Sequence, residues 1–150
     1  MRHRFKGKRL KSGFMSQFEE RMAKQLDRAK VSYEYEKTQL YYAKPIKNGR
    51  CPECENDAVV QECSYTPDFI LANGIILEGK GRWDGSDRQM HLAIRKSNPD
   101  LDIRFVFQVD NWMTKTKANR YSDWCKRNGF KYAIAPAPKS DNPIPKEWLK

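Results

Sequence analysis

Between positions 65 and 81 the chain reads Tyr65-Thr66-Pro67-Asp68-Phe69-Ile70-Leu71, then Ala72-Asn73-Gly74, then Ile75-Ile76-Leu77-Glu78-Gly79-Lys80-Gly81. Two short apolar runs, residues 66–71 and 75–80, flank a turn, so the segment is expected to be a β-hairpin. Its ionisable residues are confined to the strand ends. Glu78 and Lys80 are two positions apart and share one face of their strand. The face of Asp68 depends on the turn. A two-residue Asn-Gly turn would put Phe69 opposite Glu78 and send Asp68 to the other face. A three-residue Ala-Asn-Gly turn, with Gly74 left-handed, pairs Leu71 with Ile75 and places Asp68 opposite Glu78. The sequence permits both registers; the second is expected because it makes chemical sense of the strand ends.

In that register two carboxylates face each other with Cβ atoms roughly 4.5–5.5 Å apart, which is unfavourable without a compensating charge. A divalent cation supplies one. Mg²⁺ (or Mn²⁺) is hard, prefers oxygen and is held by one or two carboxylates plus substrate phosphate. Such a metal lowers the pKa of bound water and neutralises phosphate charge. Lys80 beside it can orient a water or offset developing negative charge. The bland alternative is a surface Glu–Lys pair with no chemistry.

The rest of the chain frames this hairpin. Residues 16–30 read as an amphipathic helix, with Phe18, Met22, Leu26 and Ala29 at helical spacing and a Ser16/Glu19 capping box. Tyrosine-rich strands are expected at 31–36 and 38–43, and an irregular stretch at 44–61. A helix over 86–97 follows, capped by Asp84 or Ser86 and stopped by Pro99. Residues 101–109 alternate as a half-buried strand, 119–128 form a helix ending at Gly129, 130–135 form a strand, and 146–149 make one turn. These elements describe an α/β fold, a mixed sheet flanked by helices in one domain. The chain's 150 residues suffice for one core and not two. Trp83, Trp112, Trp124 and Trp148 are read as packing residues.

Charge points to a partner. There are 29 Lys and Arg against 19 Asp and Glu, a net charge of +10. Arg2, Arg4, Lys6, Lys8, Arg9 and Lys11 crowd the start with no acidic neighbour, so residues 1–12 are expected to be a basic arm, disordered when free, ahead of a single domain at 13–150. Such an arm suits nucleic acid; a solubilising tail and an anionic membrane surface are the alternatives. No run reaches the roughly 20 apolar residues that span a bilayer, and no signal peptide precedes the first helix. A soluble intracellular protein is the expectation.

Pro67-Asp68 followed by Glu78-Gly79-Lys80 resembles the PD-(D/E)xK nuclease signature, and the order of elements resembles the restriction-endonuclease-like core. The likeness extends further. Glu19 with Lys24-Gln25-Leu26, Tyr33-Glu34-Tyr35-Glu36, Tyr65-Thr66-Pro67-Asp68-Phe69, Asn73-Gly74-Ile75, Lys80-Gly81, His91-Leu92 with Ile94-Arg95, and Asp100-Leu101-Asp102-Ile103-Arg104 resemble the phage endonuclease I family of Holliday-junction resolvases. The resemblance implies that Asp68 and Glu78 ligate metal, that Lys80 serves the water, and that Glu19 adds a carboxylate near a second metal. Glu19 has a rival role as the capping-box partner of Ser16. The resemblance further implies phosphate contacts from His91 and Arg95, branched double-stranded DNA as substrate, and action in the cytoplasm of the infected bacterial cell. It also implies a homodimer whose subunits exchange their N-terminal parts. Rival functions are a sequence- or mismatch-specific nicking enzyme of the same fold, and a non-catalytic basic zinc-containing DNA-binding protein.

One segment departs from the family, a cysteine-containing insertion at about 44–64. Cys51-Pro52-Glu53-Cys54 and then Cys63 suit structural Zn²⁺, with a fourth ligand from Cys125, His91, His3 or a partner subunit. Free thiols are the alternative, since an intracellular chain disfavours disulfides.

Overall fold

The computed structural model of the chain describes residues 7–46 and 59–150. Ser16 ends its extended approach by capping α1 (Gln17–Arg28), its hydroxyl accepting from Glu19 N at 3.1 Å. Along α1, Phe18, Met22, Ala23 and Leu26 form one buried stripe. Burying each of the larger three contributes about 1.5–3 kcal/mol, so tertiary packing fixes this helix.

The stripe lies on a five-stranded sheet in the order β1 (Tyr33–Tyr35), β4 (Phe69–Leu71), β5 (Ile76–Lys80), β6 (Ile103–Phe107), β7 (Lys131–Ile134). The first three strands are antiparallel neighbours, and β5, β6 and β7 run parallel. Alternation along the strands divides the core between the two faces. Phe69, Leu71, Leu77 and Val106 meet α1 and Ile144 on one face. Ile76, Ile103, Phe105 and Phe107 cluster on the other with Trp83, Ile94, Tyr121 and Trp124. The second cluster brings in α2 (Gly85–Ser97), capped by Asp84, and α3 (Tyr121–Asn128), which ends at left-handed Gly129 (φ 71°).

The hairpin adopts the three-residue turn. Phe69 pairs with Leu77 and Ile70 with Ile76, while Leu71 N donates to Ile75 O at 2.8 Å and Gly74 takes φ +86°. Carried one step further, that register sets Asp68 opposite Glu78. Gly79 serves a different need. A Cβ there would stand 2.8 Å from Met22 Sδ, so the glycine between Glu78 and Lys80 is what lets α1 lie against β5.

The stretch expected to be irregular is partly a strand. β2 (Leu40–Pro45) pairs antiparallel with β3 (Val60–Tyr65) as a separate two-stranded sheet beside α2. Five of the six residues in β3 are exposed or half-exposed, so it has no apolar face to announce it. The arm also differs from expectation at its near end. Leu10 N donates to Phe14 O, and Arg9 reaches Gly13 O at 2.8 Å and Glu36 at 2.5 Å. The Glu36 carboxylate gives Arg9 a local partner, so residues 9–14 are folded onto the domain. Among the described residues, no helix is long and apolar enough to cross a membrane.

Candidate active site

Glu78 is fully buried on the α2 side of the sheet, and four groups converge on it. Its Oε1 accepts from the Tyr65 hydroxyl and from the Asp68 amide at 3.2 Å. Its Oε2 lies 2.8 Å from Lys80 Nζ and 3.9 Å from His91 Nε2. Burial pushes the Glu78 carboxyl up. The Lys80 ammonium, then His91 and the bonds from Lys80 and Tyr65, more than reverse that, holding it down at about 2. Glu78 is therefore an ionised carboxylate inside the protein, tolerable only because it is paired and hydrogen-bonded.

Asp68 and Lys80 are nearly as enclosed, at 4% and 2% exposure. Asp68 Oδ2 accepts from Gly79 N at 3.0 Å, so each carboxylate is clamped by the backbone beside the other. Pro67 has no N–H to give a ladder. It precedes β4, which begins at Phe69 and leaves Asp68 at the strand entrance.

Glu19 enters from α1, also largely buried. Its backbone N–H is capped by Ser16, while its side chain turns to Tyr35, whose hydroxyl donates to Glu19 Oε2 at 2.5 Å and accepts from Met15 N at 2.9 Å. Burial raises the Glu19 pKa, and the Tyr35 bond offsets part of the rise. Glu36 and Glu78 add to it, and Lys80 opposes it. Glu19 therefore lies within electrostatic reach of Glu78 and Lys80 in a single chain. Glu20 instead makes an i,i+4 pair with Lys24 at 3.1 Å on the helix surface.

Other expected contacts fall elsewhere. His91 is fully buried, edge-on to Tyr65 and Phe105, so its ring supports Glu78 from below and does not present itself to a phosphate. Arg95 donates to Asn128 O and lies 4.1 Å over the Phe130 ring, tying α2 to the end of α3. Its guanidinium is thereby occupied by the fold. Lys8 and Lys11 are exposed. Arg2, Arg4, Lys6, His3, Cys51 and Cys54 lie outside the described residues. Cys63 sits half-buried on β3. Cys125 is sealed in the core, where burial and then Asp110 push its thiol up to about 12. Trp83 and Trp124 pack as expected, whereas Trp112 is 40% exposed.

Tyr65 and Tyr35 were missed as site residues. Both stand in motifs that the sequence displays, Tyr-Thr-Pro-Asp and Tyr-Glu-Tyr-Glu, but only the tertiary fold shows which carboxylate each one holds.

The donor chemistry suits a hard divalent cation. Asp68, Glu78 and Glu19 offer only oxygen, and Lys80 supplies a cation that keeps Glu78 ionised. Among the described residues no three His, Cys, Asp or Glu side chains already converge as a metal cluster. The family model described as Phage endonuclease I matches residues 1–150. The chain belongs to the phage endonuclease I family. It is 36% identical over 146 residues to Endonuclease I of Escherichia phage T7, covering 97% of this chain and 84% of that protein. To Endodeoxyribonuclease 1 of Enterobacteria phage T3 it is 37% identical over 121 residues, 80% of this chain and 70% of that protein. In this member of the family, Asp68 and Lys80 stand directly beside the buried Glu78 carboxylate, and Glu19 is held on α1 by Tyr35.

Proposed function

We propose that this member of the phage endonuclease I family is a metal-dependent DNA endonuclease that cuts branched DNA, four-way junctions above all. The observation that carries the reading is the buried Glu78 carboxylate, 2.8 Å from Lys80 Nζ and hydrogen-bonded by the Asp68 amide. Asp68, Glu78 and Glu19 would hold Mg²⁺ or Mn²⁺, two ions per site. Bound metal would supply a water of lowered pKa and charge neutralisation at the phosphate. Lys80 orients the attacking water or offsets negative charge on the phosphate. Tyr65 and His91 keep Glu78 in one rotamer, and Tyr35 does the same for Glu19.

The mixed sheet with its flanking helices is consistent with a restriction-endonuclease-like core. Cutting a junction symmetrically requires two sites, which a homodimer supplies. Exchange of the N-terminal part between subunits belongs to the same reading, as does action in the cytoplasm of an infected bacterium. Exposed Lys8 and Lys11, with the cations before them, would contact phosphates and position without reading sequence. Cys51, Cys54 and Cys63 are proposed to hold a structural zinc, for which metal analysis of chelator-free protein should return about one zinc per chain.

The test is cleavage of a four-way junction and of a matched linear duplex of the same sequence, with Mg²⁺, Ca²⁺ and EDTA. Junction cutting with Mg²⁺ alone supports the proposal. Equal cutting of both DNAs would favour a sequence- or mismatch-directed nickase. Tight binding without cutting would favour a non-catalytic DNA-binding protein.

A further inference from the structure

Residues 111–120 leave the sheet after β6 and return into α3, carrying Lys115, Lys117 and Arg120 and no acidic side chain. Asp110 just before them is engaged, its carboxylate accepting from Ser122 N at 3.0 Å and Ser122 Oγ at 2.6 Å. All three cations are exposed. Trp112 is exposed as well, and the Arg120 guanidinium lies 4.0 Å from the centre of its ring. That stack is held from several sides. Trp112 bridges Arg120 through the backbone, Met113 N donates to Asn119 O at 2.8 Å, and Arg120 also donates to Asp110 O at 2.8 Å. A large apolar ring thus stays 40% exposed here, held by the Arg120 stack.

The loop is anchored to the site. Asn111 donates to Gly81 O at 3.3 Å, and Gln108 N donates to Lys80 O at 3.0 Å. The Trp112–Arg120 stack is therefore rooted at the residue that follows Lys80. An exposed aromatic ring with cations beside it, and with the flanking Asp110 and Asp123 carboxylates both taken up by backbone N–H groups, suits a base face with flanking phosphates. In a matched duplex every interior base face is covered by its neighbour. At a branch the strands change partners, so the stack there is held less firmly than inside a duplex and a base face can be uncovered when the protein binds.

We infer that residues 111–120 form a branch-reading platform: Trp112 stacks on a base exposed at the branch point, and Lys115 and Lys117 take the phosphates on either side. This rests on the nuclease reading of the adjacent site. It adds a source of preference for branched DNA that the carboxylates and Lys80 cannot supply.

The test uses the full chain in Ca²⁺, binding a four-way junction with 2-aminopurine at the branch and a matched duplex. Trp112→Ala should weaken junction binding roughly tenfold, leave duplex binding within about twofold, and abolish the 2-aminopurine signal. Trp112→Phe should retain most of both. Changing Lys115 and Lys117 together to Ala should reduce the slope of log K against log salt by about 2 on either DNA. Trp112→Ala binding the junction as tightly as the parent overturns the inference and leaves the nuclease reading standing. An equal loss on junction and duplex overturns it too, because the ring would then only support the loop. A parent protein that binds neither DNA removes both the inference and the reading beneath it.

Discussion

Lys80 Nζ stands 2.8 Å from Glu78 Oε2 with both side chains closed off from solvent, so the lysine at the candidate site is also part of the fold. Removing one member of a buried ion pair leaves the other charge unpaired, at a cost of about 3–5 kcal/mol. Lys80→Ala should therefore abolish cleavage and lower stability together. The double variant Lys80→Met with Glu78→Gln removes both charges and should recover most of the stability while remaining inactive. Urea unfolding beside a cleavage assay separates the two effects. A double variant as unstable as the single one would show that the pair does not act as a unit.

The two glutamates of the site should respond oppositely to pH. Glu78 is held at about 2, below an unfolded glutamate at about 4.3, so its stabilising contribution is complete above pH 4.3 and lost as pH falls towards 2. Glu19 is raised, chiefly by burial, so ionising it costs stability as pH rises through its folded pKa. Glu19→Gln keeps an acceptor for Tyr35 and removes that charge. In metal-free buffer it should raise the melting temperature by a few degrees at neutral pH and show little difference in acid, while lowering cleavage. A lower melting temperature at pH 7 would contradict the assignment.

The basic arm divides at Arg9. Deleting residues 1–8 removes Arg2, Arg4, Lys6 and Lys8 and spares the Arg9–Glu36 contact at 2.5 Å. The slope of log K against log salt should flatten by up to about 3.6, at roughly 0.9 per phosphate contact, with the melting temperature unchanged. An unchanged slope would show that these cations do not meet DNA.

Much of this was legible in the chain, for reasons that can be located. The hairpin register was legible only once the chemistry of the strand ends was added, because Ala72-Asn73-Gly74 by itself permits both a two-residue and a three-residue turn. α1 followed from Phe18, Met22 and Leu26 together with the Ser16 cap. β3 was not legible, since only Tyr65 and, in part, Cys63 of its six residues are covered, too few to display an alternation. The burial of His91 was not legible either. Helical spacing groups His91 with Arg95 but does not say which stripe of α2 meets the sheet, and here that stripe takes the histidine under Glu78. Arg9 read as an arm residue because its partner, Glu36, is distant in sequence. Trp112 read as packing because composition cannot distinguish a buried tryptophan from one held open by an arginine.

Exchange of N-terminal parts can be tested by complementation. Chains with Glu19→Ala are coexpressed with chains with Asp68→Ala, differently tagged so that mixed dimers can be purified. If each site takes Glu19 from the partner subunit, one site of the mixed dimer carries both defects and the other is intact, so it should nick a junction on one strand. If each site belongs to one chain, as the single chain's own geometry allows, the mixed dimer is dead.

The most direct measurement is the single-turnover rate of junction cleavage started by adding Mg²⁺ to pre-bound complex, for the parent and for Asp68→Ala. The parent should cut with Mg²⁺ and be silent with Ca²⁺ or EDTA. Asp68→Ala should bind the junction at least as tightly, having lost a negative charge near phosphate, and cut about a thousandfold more slowly or not at all. Cleavage by Asp68→Ala at close to the parent rate, or cleavage by the parent in EDTA, would contradict the account.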